Sequence, residues 1–174
     1  MVNQDSRELR NRSQAEGSRR DPVCGMVVDA NDNAIEYQQM HFTFCSLQCK
    51  ERFLKNPHLY IGQGGRKAPK QEGQAIFKQR RLKLDRPLPP DSVDSVLDAV
   101  QAMMGIERIE IDGDVIKITY DLLQATEEQI ESEIAQAGAA LGGEWSERLR
   151  RAFVHYLEET EIESLAASTS SHGH

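Results

Sequence analysis

The chain has no apolar run near the roughly 20 residues of a membrane span, and its first stretch, MVNQDSRELRNRSQAEGSRR, lacks the apolar centre of a signal peptide. No membrane insertion is expected, and the protein is expected to be soluble and cytoplasmic. Aromatic residues make up 6% of the 174, so any core must be modest. Cysteine is scarcer, at three residues, and an odd count argues against a disulfide framework. In a reducing compartment those thiols stay free for metal or redox chemistry. Also missing are a phosphate loop, a G-x-S-x-G elbow, a C-x-x-C redox pair and catalytic carboxylates in a recognisable motif. An enzyme is therefore not expected.

Charge divides the chain into segments. Residues 62–84 carry a net +6, including KQRRLK at 78–83, whereas residues 85–174 carry −13. The basic stretch has no interleaved aromatics, so nucleic-acid binding is not expected. Residues 1–20, polar and without apolar anchors, read as a disordered tail, as do residues 167–174. Residues 21–61 form a compact unit: IEYQQMHFTF at 35–44 suits a short hairpin, and SLQCKERFLKN at 46–56 suits a helix. Leu47, Lys50, Phe53 and Leu54 are expected on related faces of that helix, and Pro57 stops it. Residues 62–79, rich in Gly and charge, read as a flexible basic linker.

The remainder, 80–143, reads strand, helix, strand, strand, helix. RLKLD at 81–85 is the first strand, and PPDSVDSVLDAVQAMMG at 89–105 is a helix with Asp91 as N-cap and Met103 and Met104 in the core. RIEIDGDVIKITY at 108–120 is a hairpin with an Asp-Gly turn. ATEEQIESEIAQAGAALGG at 125–143 opens with a capping box of Thr126 and Gln129. The order suggests a ferredoxin-like split β-α-β sheet, and the fold class is α+β. The expected fourth strand is replaced by an amphipathic helix over 144–166, with Trp145, Leu149, Phe153, Tyr156 and Leu157 at helical spacing. That face is expected to pack on its own domain, the alternatives being a dimer mate or another partner's groove.

The three cysteines stand as C-x20-C-x3-C. Cys49 follows Cys45 by one turn, so both sulfurs can converge on one ion, and the free N–H groups of a first helical turn favour thiolate. Cys24, in DPVCGM, lies across the hairpin from them. A unit of about 40 residues generally needs such a staple.

DPVCGM followed by EYQQMHFTFCSLQCKERFLKNPHLYI resembles a YHS domain, of the TRASH-type metal-binding group. The resemblance implies a small treble-clef-like module handling heavy metals, copper above all, with Cys24, Cys45 and Cys49 as ligands. Asp21, three residues before Cys24, is the candidate fourth ligand, directly or through water. The alternatives are His41, Met26, an open position, or a purely turn-forming role for Asp21. The sequence departs from the family pattern at Gln39, where a glycine often precedes the second hairpin strand, and at Phe42 in place of a tyrosine. Three thiolates with an oxygen suit zinc(II), and three alone or with Met26 suit copper(I). Residues 80–138 resemble a heavy-metal-associated (HMA) domain, but the M-x-C-x-x-C loop is replaced by DRPLPPDSVDSV, without cysteine. The resemblances imply soft-metal trafficking, chaperoning or sensing, with a metal-transporting ATPase or another metal-handling protein as partner. The rival reading is an interaction scaffold with structural zinc. His58 and His155 read as structural or surface residues, and His172 and His174 as an incidental terminal pair.

Overall fold

The computed structural model describes residues 18–170, with side chains to residue 167; His172, His174 and residues 1–17 lie outside the described residues. The architecture is α+β. Strand β1 (Ser18–Arg20) pairs antiparallel with β2 (Val27–Asp29), so the last three residues expected as tail belong to the first unit. Strands β3 (Ile35–Tyr37) and β4 (Met40–Phe42) form the expected hairpin.

Helix α1 (Leu47–Lys55) starts where the Ser46 side chain accepts a hydrogen bond from the Cys49 amide, and it ends at Asn56, before Pro57. It buries Cys49, Arg52 and Phe53, one helical face by their i, i+3, i+4 spacing. Leu47 and Leu54, expected on that face, are 64% and 51% exposed. The face is rotated because Arg52 is drawn inward to an acceptor in the second unit. Phe53 is the centre of an aromatic cluster, with the rings of Phe42, Phe44, Tyr37 and Tyr60 at 4.8, 5.2, 5.7 and 6.0 Å. Half of the ten aromatic residues thus lie in one small module and give it an apolar core, which buried Cys49 joins.

The segment expected as a linker is packed. Ala68 is buried, the Gln71 side chain accepts from the amides of Gly62 and Ala68, and residues 70–72 make a turn of 3-10 helix. Strand β5 (Phe77–Lys83) begins four residues earlier than its apolar alternation suggests. Helix α2 (Pro90–Gln101) starts with Pro90 at its first position, so Asp91 lies inside the first turn instead of capping it. Met103 and Met104 fall in the loop beyond α2, half-buried against the core.

Strands β6 (Ile106–Asp112) and β7 (Val115–Asp121) form the expected hairpin, turning through Gly113 and Asp114. Only Gly113 has positive φ, +61°, which places the glycine at the first central position of a two-residue turn. The sheet order is β5-β7-β6, antiparallel throughout, the arrangement of a split β-α-β. Leu82, Ile109, Ile116, Ile118 and Tyr120 form the buried face, joined by Val96 and Val100 of α2 and by Ile130 and Ile134 of α3 (Glu127–Gln136). The α3 capping box of Thr126 and Gln129 is formed in both directions.

The fourth strand survives as a single bridge, Leu84 to Leu141. Helix α4 (Trp145–Ser170) takes over the rest of that edge and runs four residues past its expected end. Arg150 donates to the Arg81 carbonyl at 2.7 Å, covering the β5 edge where a strand would otherwise pair. Among the described side chains of α4, Ile162 and Glu158 are buried, and the aromatic face expected to pack inward is exposed instead. The cause is electrostatic. Glu158 accepts from the Tyr120 hydroxyl, from Arg80 at 3.3 Å and from the Glu127 amide at 2.9 Å, so the polar side of the helix is the one held down.

The two units share one core and a polar seam. Buried Arg52 donates to the Leu122 carbonyl at 2.9 Å, and Tyr60 donates to the Leu123 carbonyl at 2.6 Å. The Gln48 amide exchanges hydrogen bonds with Met104 and donates to the Gln124 carbonyl at 3.1 Å. The acceptors other than Met104, the carbonyls of Leu122, Leu123 and Gln124, lie on one turn, residues 121–125, and Asp121 shapes it. Its carboxylate accepts from the amides of Ile76 and Leu123, from Gln124 and from Lys70, at 2.8–3.2 Å. Burial by itself would raise its pKa, but these four donors outweigh burial and hold the carboxyl below its ordinary value. Replacing Asp121 with Ala strands one buried and one part-buried amide, and we expect a loss of about 2–4 kcal/mol in urea unfolding followed by circular dichroism. A loss under about 1 kcal/mol would show that the turn holds without it.

Candidate metal centre

The first knuckle is the turn DPVCGM. The Asp21 amide donates to the Met26 carbonyl at 2.9 Å and the Gly25 amide to the Asp21 carbonyl at 2.8 Å. Gly25 sits at φ +80°, a conformation that costs a side-chain-bearing residue about 1–2 kcal/mol, which accounts for a glycine after Cys24. The other two cysteines come from the β4–α1 junction. Cys45 precedes the N-cap, and Cys49 lies on the first turn of α1.

One carboxylate joins the two halves. Asp21, 1% exposed, accepts from the amides of Val23 (2.7 Å) and Cys24 (3.3 Å) through Oδ1, and from the Cys45 amide (2.8 Å) through Oδ2. Three backbone N–H groups therefore set the distance between knuckle and helix. The Sγ atoms of Cys24 and Cys45 lie 3.5 Å apart, and those of Cys45 and Cys49 3.6 Å apart. Ligand atoms of Asp21, Cys24, Cys45 and Cys49 all lie within 4.8 Å of one another. A tetrahedral zinc with Zn–S near ~2.3 Å sets sulfurs roughly 3.8 Å apart, so small adjustments suffice for one ion to bind all three. The sequence-identified residues are thus brought together. Of the alternatives for the fourth position, His41 is exposed on β4 and outside the cluster, and Met26 is 49% exposed. Asp21 shapes the turn, and a carboxylate oxygen lies within 4.8 Å of the sulfurs.

The thiols differ in acidity. Cys24 is lowered to about 7, chiefly by a hydrogen bond from the Cys49 thiol; the Met26 amide and the Cys45 thiol add to this, against burial. Cys45 is pushed up to about 11, first by burial. Cys49 is held far above its ordinary value, first by its hydrogen bond to Cys24 and then by burial. Three sulfurs this close cannot all carry charge unless a cation lies between them. The site is also accessible on one side: Cys24 and Cys45 are partly exposed and Cys49 is buried.

A second group of ligand-type side chains, Glu127, Glu131 and His155, gathers where α3 meets α4. Its charge is already met from inside the protein. The Arg80 Nε lies 3.0 Å from the Glu127 carboxylate, though too poorly aligned for a hydrogen bond. Arg151 lies 3.4 Å and His155 3.1 Å from Glu131. Burial, then the Glu131 and Glu158 charges, push Glu127 up to about 7 against Arg80 and Arg150. This cluster clamps α4 to the body, and His155 is structural, as its sequence context suggests. Sequence reading missed Arg52 and Glu158, whose positions look like ordinary surface charges; an arginine on the Cys49–Phe53 face was the one available signal.

A family model of the YHS domain matches residues 20–64. No curated protein and no solved structure matches the chain. No helix is long and apolar enough to cross a membrane among the described residues.

The departure at Gln39 is visible in the backbone. Gln38 and Gln39 both have positive φ, +50° and +64°, as a two-residue primed turn requires, but without the glycine that suits it. Gln39→Gly is expected to raise stability by about 1 kcal/mol in chemical denaturation; no gain would mean that the strain is relieved elsewhere. Metal-free protein at pH 7.5 should be alkylated by iodoacetamide at Cys24 at least roughly tenfold faster than at Cys45 or Cys49, by peptide mass mapping. Equal rates would contradict the order of acidities.

Proposed function

We propose that the protein carries a soft metal ion, copper(I) or zinc(II), on Cys24, Cys45 and Cys49, and delivers or reports it to a metal-handling partner such as a metal-transporting ATPase. The observation behind this reading is the convergence of three sulfurs, two of them partly exposed, in a module matching a metal-associated family. Soft thiolates select copper(I) and zinc(II) over hard cations. Asp21 orients the cysteines and stands closest in role to a fourth ligand, which suits zinc; three thiolates alone suit copper(I). Loading displaces thiol protons from Cys45 and Cys49, so affinity rises with pH.

The second reading is a scaffold whose zinc is structural. The module's aromatic core and its polar seam to the second unit argue against it, because the ring contacts and the seam hydrogen bonds are made by residues other than the cysteines. The second unit, which resembles an HMA domain without its cysteines, then serves as a docking surface. Its −13 charge over residues 85–174 favours a basic contact on the partner.

Anaerobically purified protein is expected to hold one copper(I) or zinc(II), surrender it to a competing chelator and keep its far-UV circular dichroism. Each of Cys24→Ser, Cys45→Ser and Cys49→Ser should abolish stoichiometric binding, whereas Asp21→Asn should weaken it. Unfolding on metal removal would favour the scaffold; stoichiometric binding by all three cysteine variants would refute the site.

A further inference from the structure

Trp145, Leu149, Phe153, Tyr156 and Leu157 of α4 are 78%, 54%, 59%, 64% and 45% exposed. They follow one another at i, i+4, i+8, i+11 and i+12, a single stripe along more than three turns. Three of the ten aromatic residues of the chain stand on it. The opposite side of the helix is fixed to the body by Glu158, Arg151, His155 and Ile162, so the stripe cannot turn inward without breaking those contacts. A contiguous aromatic stripe of this kind marks an interaction surface.

We infer that the stripe is the interface of a homodimer in which α4 of one protomer packs antiparallel against α4 of its partner. Charge chooses both occupant and direction. Of the helix charges not already held by the body of the protomer, Arg148 lies in the first half, and Glu159 and Glu163 lie in the second half, which has no basic residue. A parallel pair would set like charge against like, and an antiparallel pair sets basic half against acidic half. On one flank of the stripe, Arg148 and Glu159 are exposed and three turns apart, and neither makes an ion pair among the described residues. With the two-fold axis beside Phe153, Arg148 of each protomer meets Glu159 of the other, and Leu149 meets Leu157. At the roughly 150–250 Å² available from an aromatic side chain, the exposed parts of the stripe amount to roughly 600 Å² per protomer. Pairing two copies buries roughly 1,200 Å², the lower bound of stable specific interfaces.

Sedimentation of the full chain at 10–100 μM, as an order-of-magnitude range for a modest interface, is expected to show twice the 19.6 kDa monomer mass. Phe153→Glu should give a monomer with unchanged circular dichroism, because the residue is exposed within the protomer. Arg148→Glu should weaken the dimer about tenfold or more, and the double variant Arg148→Glu with Glu159→Arg should restore it. A wild-type monomer across the whole range would overturn the inference. So would a dimer that survives Phe153→Glu, or a monomer whose stripe instead binds anionic phosphatidylglycerol vesicles. Failure of metal binding in the cysteine variants leaves this test unaffected, since α4 contributes no ligand.

Discussion

The carboxylate of Asp121 is the constraint on which the assembly turns. Four donors converge on it, and in satisfying them it folds residues 121–125 into a turn whose carbonyls face the cysteine module. Arg52, Tyr60 and Gln48 then find acceptors at fixed positions. Two residues further along, the same segment opens α3, where the Glu127 amide and side chain reach Glu158 and Arg80 and bring α4 onto the sheet. A buried anion earns its place here by arranging three junctions. Without it, an arginine guanidinium and a tyrosine hydroxyl would be buried beside a turn of undefined shape.

Asp21 plays the same part on a smaller scale. It accepts three backbone N–H groups and so holds the DPVCGM turn against the start of α1. The sulfurs gather because their backbones are held. Pre-positioning of this kind lowers the ordering cost of binding, while the partly exposed Cys24 and Cys45 leave a route for the ion. Gln48, between Cys45 and Cys49 in sequence, points away from the site and into the second unit. The two sides of one helical turn thus serve ligand and scaffold.

Much of this was legible from the residues. The capping box at Thr126, the alternation of the β6–β7 hairpin, and the cysteine spacing all express local rules, and each gave the right element or cluster. What stayed hidden depends on distant partners. Arg52 looks like a solvated helix charge until Leu122 supplies its acceptor, and its inward pull rotates the α1 face away from Leu47 and Leu54. The aromatic stripe of α4 is a clear amphipathic signal, but period alone does not say which side faces home. Glu158, Arg80 and Tyr120 decide that through ion pairing and hydrogen bonding. Residues 62–79 have linker composition, yet Gln71 and Ala68 tie them down.

The seventy residues that separate Arg52 from its acceptor at Leu122 have a consequence for biosynthesis. At a typical ~5–20 residues per second, the cysteine module leaves the ribosome roughly 4–14 s before the turn that receives its arginine and tyrosine exists. During that interval its aromatic cluster can close, but one flank of α1 stays hydrated. Maturation therefore runs backward along the chain, with the later-made turn locking the earlier-made module.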